Sequence, residues 1–448
     1  MSYPAIATKI LDFCQTVFIA PLNEQIDQLV GSGDLYTVAA QLRQRCHDLF
    51  GHVMEQILTH AADRVMKNTP ACQRRNTTIR PLKITIANGA SVQVDNYYDK
   101  RLEADHPDQE RHHLQRHWSL TGHYSPLCCD LVGFCSMIAP SFELARQTVS
   151  KIGGVAVCTS TVNKITDRLA ERCQRRGEAS VALQAGETLR GKRVVISTDG
   201  GRCRVRAYTG KTNAAGNPTF NTPWIEPKLF VIQVVDQEGN FTKKELPLYG
   251  VRFGDEACVE LLGRYLKKLH VDEATTIQLV ADGAQWIWQQ VVAKLKELGV
   301  EDSKLVQTLD YYHAVGYVHA ITEALPKRVG KKERADILTK LKKALWEGDT
   351  DYIYLRCREL FKRPGKLVRR YINYFVKHHD RMAYVDFRAR KLVCGSGIVE
   401  SAVRRVINLR FKNASTFWRP ENLERLYFLR CAVLSGRWNI VMSNLYSR

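Results

Sequence analysis

One short apolar run that ends in an aspartate constrains this chain more than any other feature. Residues 194–201 read VVISTDGG, so β-branched residues lead into Asp199 and two glycines follow it. β-Branched residues favour strands, and paired glycines let a backbone turn sharply or approach a ligand closely. The run therefore predicts a buried strand that delivers Asp199 to an open edge of a sheet.

A similar pattern recurs farther along the chain. Residues 277–281 are apolar, Asp282 follows them, and a glycine opens the next predicted helix. Glu400 is predicted in the first turn of an amphipathic helix that follows a Gly-Ser-Gly sequence. Functional groups gather at the carboxyl ends of neighbouring parallel strands, and carboxylate oxygens suit Mg²⁺. The three acids therefore predict a magnesium site.

Composition bounds the class of protein. The chain has 448 residues, of which 45% are apolar, enough for two or three domains with real cores. Its 66 Lys and Arg exceed its 46 Asp and Glu, and the net charge of +20 favours a polyanionic partner, although a merely basic soluble protein is the alternative. Thirteen scattered cysteines indicate a reducing cytoplasm. Neither a secretion signal nor a membrane-spanning segment is predicted.

The N-terminal region, residues 1–105, is predicted to be helical and to end in a β-hairpin. The hairpin strands are residues 82–86 and 91–94, and Asn88-Gly89 between them is a strong turn signal. A connector follows from residue 106, and its histidines and cysteines lack the paired spacing of a zinc site, so zinc binding is not expected. Those residues are His112, His113, His117, His123, Cys128, Cys129 and Cys135.

A helix-turn-helix is predicted within the region 106–190. Residues 142–152 form one short helix, two glycines turn it, and residues 159–169 form a second helix that begins with hydroxyl side chains able to cap it. In such motifs the early, exposed part of the second helix contacts DNA. The predicted contacts are Thr159, Ser160, Asn163 and Lys164. An ordinary helical hairpin is the alternative.

The region 193–448 is predicted to be an α/β domain. Its first three strands are placed at residues 194–199, 202–208 and 228–235 as a meander, with a loop over residues 209–223. An amphipathic helix over residues 257–269 then crosses to the strand that bears Asp282, which makes that strand parallel to an earlier one.

A second helix leads from Asp282 to another strand, residues 305–309, which ends in the sequence LDYYHA with Asp310 and His313. Residues from about 314 to 390 are predicted to be a basic, all-helical insertion. The helix of Glu400 comes only after this insertion, and the tail to residue 438 is again helical and cationic.

This order of elements resembles the RNase H-like fold. The motifs TDGG, VADGAQWIW, LDYYHA and GSGIVESAVRRVINLRFKNASTFW are similar to those of bacterial insertion-sequence DDE transposases in the Mutator-related branch, over roughly residues 193–438. The resemblance implies that Asp199, Asp282 and Glu400 are a metal-binding catalytic triad and that Asp310 and His313 support it. Relatives often have a tidier Cys-pair motif before the helix-turn-helix than this chain has.

The implied activity is that of a DNA transposase from a bacterial mobile element. Such an enzyme binds the terminal inverted repeats of its insertion sequence, cleaves DNA there and transfers the freed strand to target DNA. Two Mg²⁺ ions roughly 3.5–4 Å apart, replaceable by Mn²⁺, are the expected cofactor. The expected partners are double-stranded DNA and further copies of the chain, in a homodimer or higher oligomer at the nucleoid. A non-catalytic DNA-binding regulator and a structure-selective nuclease are the alternatives.

Several residues near the predicted triad keep two interpretations, namely Trp286, Trp288, His313 and Arg404. The tryptophans either belong to the core or stack on a base, and the histidine either orients a ligand or is structural. Arg404 either contacts the scissile phosphate or pairs with Glu400. Asp380 and Asp386 are the other acids within reach in sequence for the third position.

Overall fold

The computed structural model describes residues 3–74, 77–99, 112–242, 244–413 and 416–446. The chain is a mixed α/β protein with two compact units. The first unit comprises Met1–Cys173 with Leu445–Arg448, and the second comprises Gln174–Asn444. Residues 100–111, which include the start of the predicted connector, lie outside the described residues.

The first unit is mostly helical. Its described helices are α1 (Tyr3–Phe13), α2 (Leu22–Ser32), α3 (Leu35–Asn68), α4 (Ala71–Arg74), α5 (His113–His117), α6 (Pro126–Ile138), α7 (Phe142–Gly153) and α8 (Thr159–Arg176), the last of which ends just inside the second unit. A π-helical turn, Cys14–Ile19, follows α1.

The predicted hairpin is confirmed and is longer than expected. Strands β1 (Thr77–Thr85) and β2 (Ser91–Asp99) pair in antiparallel register, with Thr85 opposite Ser91. Gly89 has a φ of +82°, a conformation that glycine adopts without strain. One face of the hairpin packs on α3, where Ala62, Ile84 and Val92 are buried.

The two helices predicted around residues 142–169 are also confirmed. Ser141 caps α7 by accepting a hydrogen bond from the Leu144 amide at 3.1 Å. Gly154 then ends α7 in the left-handed conformation, with a φ of +71°. Helix α8 buries Val162 and Ile165 against α6 and α7, so the pair belongs to a packed core.

The first helices contain an apolar stretch that the sequence interpretation overlooked. Pro4–Ser32 spans 29 residues, and its most apolar window has a mean hydropathy of 1.4, enough to cross a membrane by length and composition alone. None of that window is buried in the structure. Charged residues such as Lys9 and Asp12 interrupt the stretch, which is why it was not predicted.

The second unit has nine strands within its described residues. The strands are β3 (Arg193–Gly200), β4 (Cys203–Arg204), β5 (Ala207–Thr212), β6 (Pro218–Asn221), β7 (Trp224–Ile225), β8 (Pro227–Val235), β9 (Leu248–Phe253), β10 (Thr276–Ala281) and β11 (Leu305–Leu309). Five of them form the main sheet in the order β11-β10-β3-β8-β9. Strands β3, β10 and β11 are parallel, as the crossover helix predicted. Strand β8 runs antiparallel to β3, and β9 runs antiparallel to β8.

The predicted meander is wrong in its second strand. Residues 202–208 do not join the main sheet, because β4 pairs only with β7 and β5 pairs only with β6. All six residues of β5 are exposed, so this strand has no buried face. The neighbour of β3 is instead β8, and the meander is completed by β9, which the sequence interpretation missed.

Helices cover and interrupt this sheet. They are α9 (Glu178–Ala182), α10 (Asp255–Lys268), α11 (Val292–Glu297), α12 (Tyr311–Glu323), α13 (Lys331–Glu347), α14 (Thr350–Leu360), α15 (Lys366–His378), α16 (Tyr384–Ala389), α17 (Gly397–Val403), α18 (Leu409–Phe411), α19 (Pro420–Leu434) and α20 (Trp438–Tyr446). Shorter turns are the 3₁₀-helices Val271–Glu273 and His379–Arg381 and the π-helices Ile287–Val291 and Arg404–Asn408. Helices α12 to α16 form the predicted all-helical insertion.

Gly250 of β9 gives a test of this sheet. It lies opposite Phe230 of β8, whose buried ring occupies the space that a Cβ at residue 250 would need. Because overpacking a core forces strain, we expect Gly250→Ala to lower the free energy of unfolding by about 1–3 kcal/mol. Urea titration followed by tryptophan fluorescence measures this. Gly316→Ala, in open space on α12, is the matched control, and it should be neutral or stabilising by up to about 1 kcal/mol. Equal stability of the two variants would contradict the pairing of β8 with β9.

Candidate active site

Strand register places three aspartates in one row at the edge of the sheet. Ala281 at the end of β10 pairs with Thr198 of β3 on one side and with Leu309 of β11 on the other. In each of the three parallel strands the next residue is an aspartate. These residues are Asp199, Asp282 and Asp310. The row follows directly from the apolar runs that form the strands.

Asp199 is half-buried and has a raised pKa. Its pKa is about 6, chiefly because of burial; the negative charges of Asp282 and Glu400 also raise it, whereas the Gly200 amide and His313 lower it. The amide of Gly200 donates to the Asp199 carboxylate at 2.6 Å. The charges of Asp282 and Glu400 therefore act on Asp199.

Asp282 is fixed by the turn that follows it. Its carboxylate accepts a hydrogen bond from the Ala284 amide at 2.9 Å, and its carbonyl accepts one from the Trp288 indole, also at 2.9 Å. Trp288 is buried, so it belongs to the core. Trp286 is only half-buried and lies under the Lys228 ammonium group, which is 5.3 Å from the ring centroid.

Asp310 has a different environment from its two neighbours. It is 2% exposed, and its carboxylate accepts hydrogen bonds from the Tyr312 amide at 3.0 Å, the Ser396 amide at 3.3 Å and the Ser396 hydroxyl at 2.7 Å. It thus caps α12 and fixes the start of the helix that carries Glu400. Burial and full hydrogen bonding make it a positioning residue.

Glu400 reaches the site because the chain before its helix is attached to the sheet. The Gln278 side chain of β10 donates to the Val393 carbonyl at 2.6 Å and accepts from the Val393 amide at 3.0 Å. Helix α17 then packs on β3 and β8. Glu400 lies in its first turn, as predicted, and its side chain is exposed.

The structure also gives the positions of the other residues that had two possible roles. His313 is exposed and lies close enough to Asp199 to act on its pKa. Arg404 is exposed, and within the described residues it forms no ion pair with Glu400. Asp380 and Asp386 lie on the insertion, where they pair with His379 and Arg390. Neither is among the principal charges that act on Asp199, whereas Glu400 is.

The acids at this edge supply the type of ligand that Mg²⁺ prefers. Among the residues that the structure describes, no three His, Cys, Asp or Glu side chains lie close enough to hold one ion. Mg²⁺ usually takes only one or two carboxylates, and water and substrate phosphate complete its octahedron. A magnesium site at this edge would therefore need no more than two of these carboxylates from the protein.

The predicted DNA contacts lie on α8 of the first unit. Ser160, Asn163 and Lys164 are exposed in its first two turns. Thr159 is half-buried, and its hydroxyl donates to Glu143, which also pairs with Arg146. Three of the four side chains are therefore available to a ligand, whereas Thr159 joins α8 to α7.

The cysteines considered for zinc are buried, whereas the histidines are half-buried or, at His123, exposed. Cys128, Cys129 and Cys135 are buried in the core between α6, α7 and α8, and burial raises the pKa of Cys128 to about 12. His112 contacts the Asn96 side chain at 2.6 Å. His113 and His117 lie in α5, and His123 lies in the turn region that follows it.

Sequence reasoning missed Tyr374, a residue next to the candidate site. A Cβ on Gly283 would meet the Tyr374 ring, and the Tyr374 hydroxyl is buried without a hydrogen-bond partner in the structure. Burial and the charge of Asp282 both raise the pKa of this tyrosine. The available signal was the spacing of Tyr371, Tyr374 and His378, which places aromatic rings on one face of a helix.

No protein-family model and no curated protein matches the chain. Among solved structures, it is similar to a chain of a Drosophila P element transposase strand transfer complex, with 11% sequence identity and a TM-score of 0.35. That similarity covers 76% of this chain and 96% of the other. A TM-score this low assigns neither a fold nor an activity, so the function has to be argued from the site itself.

The raised pKa of Asp199 predicts a stabilising substitution. Without divalent cations the ionised form is disfavoured in the folded state, by up to about 3 kcal/mol for a shift from 3.8 to about 6, and solvent screening reduces this to about 1–2 kcal/mol. We therefore expect Asp199→Asn to raise the free energy of unfolding at pH 7.5 by about 1–2 kcal/mol.

The pH dependence gives the sign of this effect. The unfolded chain ionises Asp199 near pH 4 and the folded chain near pH 6, so wild-type stability falls relative to the variant as the pH rises through this window. Urea titrations from pH 4 to 8 with EDTA measure the difference. Added Mg²⁺ should stabilise the wild type more than the variant. Asp386→Asn is the control, and a pH-independent difference between Asp199→Asn and wild type would contradict the raised pKa of Asp199.

Proposed function

We propose that the chain is a DDE-type DNA transposase whose second unit is an RNase H-like catalytic domain. The supporting observation is that two carboxylates lie at the ends of adjacent parallel strands and that a third, in the first turn of a helix, is near enough to act on the first. Burial and the charges of Asp282 and Glu400 disfavour the ionised form of Asp199, and a bound cation would offset this. The proposed triad is Asp199, Asp282 and Glu400.

Each residue of the proposed triad has a distinct position. Asp199 lies on the central strand, where two metal ions could share its carboxylate. Asp282 and Glu400 approach it from β10 and α17. Two Mg²⁺ ions, when bound, activate the attacking oxygen and stabilise the leaving oxygen of a phosphodiester. Asp310 holds the helix of Glu400 in place through Ser396. His313 lies beside the acids, where its imidazole can contact the substrate phosphate or its water.

The DNA substrate follows from charge and exposure. A net charge of +20 favours a polyanion, and the exposed Ser160, Asn163 and Lys164 on α8 are the proposed contacts to the terminal repeats. A transposon has two ends that must be joined to one target, so we propose a homodimer or larger assembly on DNA. The proposed location is the bacterial cytoplasm, at the nucleoid.

The triad is tested by isosteric substitution. Asp199→Asn, Asp282→Asn and Glu400→Gln keep side-chain size but remove the charge that binds metal, so each should reduce DNA cleavage and strand joining by at least about a hundredfold. The assay uses the full-length protein, Mg²⁺ and duplexes that carry the sequences flanking its gene. Products are scored for nicks and for joined strands.

Matched controls make this test specific. Asp380→Asn and Asp386→Asn change exposed acids of the insertion and should retain wild-type activity. If Glu400→Gln joins DNA normally while Asp386→Asn does not, the third ligand is misassigned. If the wild type cleaves but never joins strands, the protein is a nuclease of the same architecture.

DNA recognition is tested separately from chemistry. Asn163→Ala and Lys164→Ala should weaken binding to the flanking-sequence duplex, by about 1–3 kcal/mol where a base contact is lost. Loss of a phosphate contact at Lys164 should also make the salt dependence less steep by about one unit of slope. Fluorescence anisotropy at several salt concentrations measures both effects. Lys151→Ala, at the end of α7, is the control, and equal binding of flanking and random duplexes by wild type and variants would refute this interface.

A further inference from the structure

Helices α12 and α15 of the insertion meet through aromatic rings. Tyr317 and Tyr374 stack with centroids 3.8 Å apart and planes inclined by 13°. Tyr371 meets Tyr317 edge-on at 5.7 Å, and His313 lies at the same distance on another side of Tyr317. Because these rings pack on one another, their remaining open faces are held in fixed positions.

An open cavity of about 540 Å³ lies beside these rings, and we refer to it as the aromatic cavity. Six of its lining residues are Tyr312, His313, Tyr317, Arg370, Tyr371 and Glu400. The volume is typical of small-ligand sites, which are about 300–1,000 Å³. Tyr312 is 72% exposed, which is unusual for a large ring. The cavity therefore presents aromatic surface next to one carboxylate of the proposed triad.

Positive charge surrounds the aromatic cavity. A neighbouring cavity of about 580 Å³ shares Tyr317 and Arg370 with it and is also lined by Lys366, Arg369 and Lys377. In the described parts of the chain, these four cations form no ion pair with a carboxylate. They are exposed, so they are available to an anionic ligand. The two cavities together offer a path for a phosphate backbone.

Aromatic faces beside cations favour an unpaired nucleotide over a duplex. In a duplex the base faces are stacked against one another, and only the phosphates and groove edges are accessible. An unpaired base can stack on a tyrosine while its phosphates contact lysine and arginine side chains. Enzymes that act on DNA often extrude a nucleotide into such a pocket.

We propose that the aromatic cavity binds one unpaired nucleotide of the DNA strand that is cut at the triad. Its base lies against Tyr371 and Tyr317, and its phosphate contacts Arg370. This inference rests on the proposed function and adds to it a site for the substrate strand beside Glu400. The ligand class is a single-stranded DNA segment.

The test is binding of fluorescein-labelled decathymidylate to the full-length protein, measured by anisotropy with EDTA present. Tyr371→Ala should weaken this binding about tenfold, because each base stacked on an aromatic ring contributes that much. Tyr371→Phe keeps the ring and should bind within about twofold of wild type. Tyr352→Ala, on α14 and outside both cavities, is the matched control and should also bind normally. Binding of a random duplex should not change in any variant.

Tyr312→Ala provides a second variant, since its exposed side chain can be removed without loss of the fold. It should also weaken decathymidylate binding. The proposal is overturned if both alanine variants bind decathymidylate like wild type, or if they lose duplex affinity equally. Displacement of the strand by thymidine monophosphate at equal nucleotide concentration would also overturn it, because the ligand would then be a free nucleotide.

The outcome of this binding experiment does not depend on whether the proposed catalysis is correct. With EDTA present no metal-dependent step takes place, so decathymidylate binding reports on the aromatic cavity alone. If the triad variants keep full activity while Tyr371→Ala loses strand binding, the catalytic proposal is wrong and the binding site stands. If the triad variants are inactive while Tyr371→Ala binds normally, the reverse holds.

Discussion

The parallel register of β3, β10 and β11 is the constraint on which the candidate site depends. Because Ala281 pairs with both Thr198 and Leu309, the residues that follow in each strand form one row of acids. Three carboxylates in a row repel one another, and the protein resolves this differently at each position. Asp310 is buried and receives three hydrogen bonds, whereas Asp199 receives one from its neighbouring amide and has a raised pKa. The same residue type therefore has a structural role at one end of the row and is a half-buried carboxylate with a raised pKa at the other.

The long helical insertion does not disturb this edge because both of its ends are attached to the same strands. Its first helix begins at Asp310, and the chain returns where Gln278 hydrogen-bonds Val393 and Asp310 hydrogen-bonds Ser396. The entropy of closing a long loop grows only slowly with its length, so five helices can be inserted at little further cost once the ends are fixed. The position of Glu400 then depends on these hydrogen bonds and on the packing of α17 against β3 and β8.

The sequence predicted those parts of the fold that depend on local patterns of apolar residues. The apolar runs before Asp199 and Asp282 and the period of α10 gave the parallel strands and the crossover correctly. Residues 202–208 also looked like a strand, but pairing with a neighbour that has a buried face is a property of the whole sheet. Strand β9 was missed because Gly250 and Arg252 interrupt its apolar pattern, although Gly250 is there to accommodate Phe230. The proximity of Tyr374 to Gly283 links elements distant in the chain, and no local pattern reports such a contact.

The proposed triad combines fixed and adjustable groups. Asp199 and Asp282 lie at strand ends and accept hydrogen bonds from the next turn of backbone, so their positions are set by the sheet. Glu400 is exposed on a helix that is itself held by Ser396, so only its side chain is free to move. The aromatic cavity lies on that same open side. In the proposed enzyme, a strand held in the aromatic cavity would therefore lie against the adjustable carboxylate, next to the two aspartates whose positions the sheet sets.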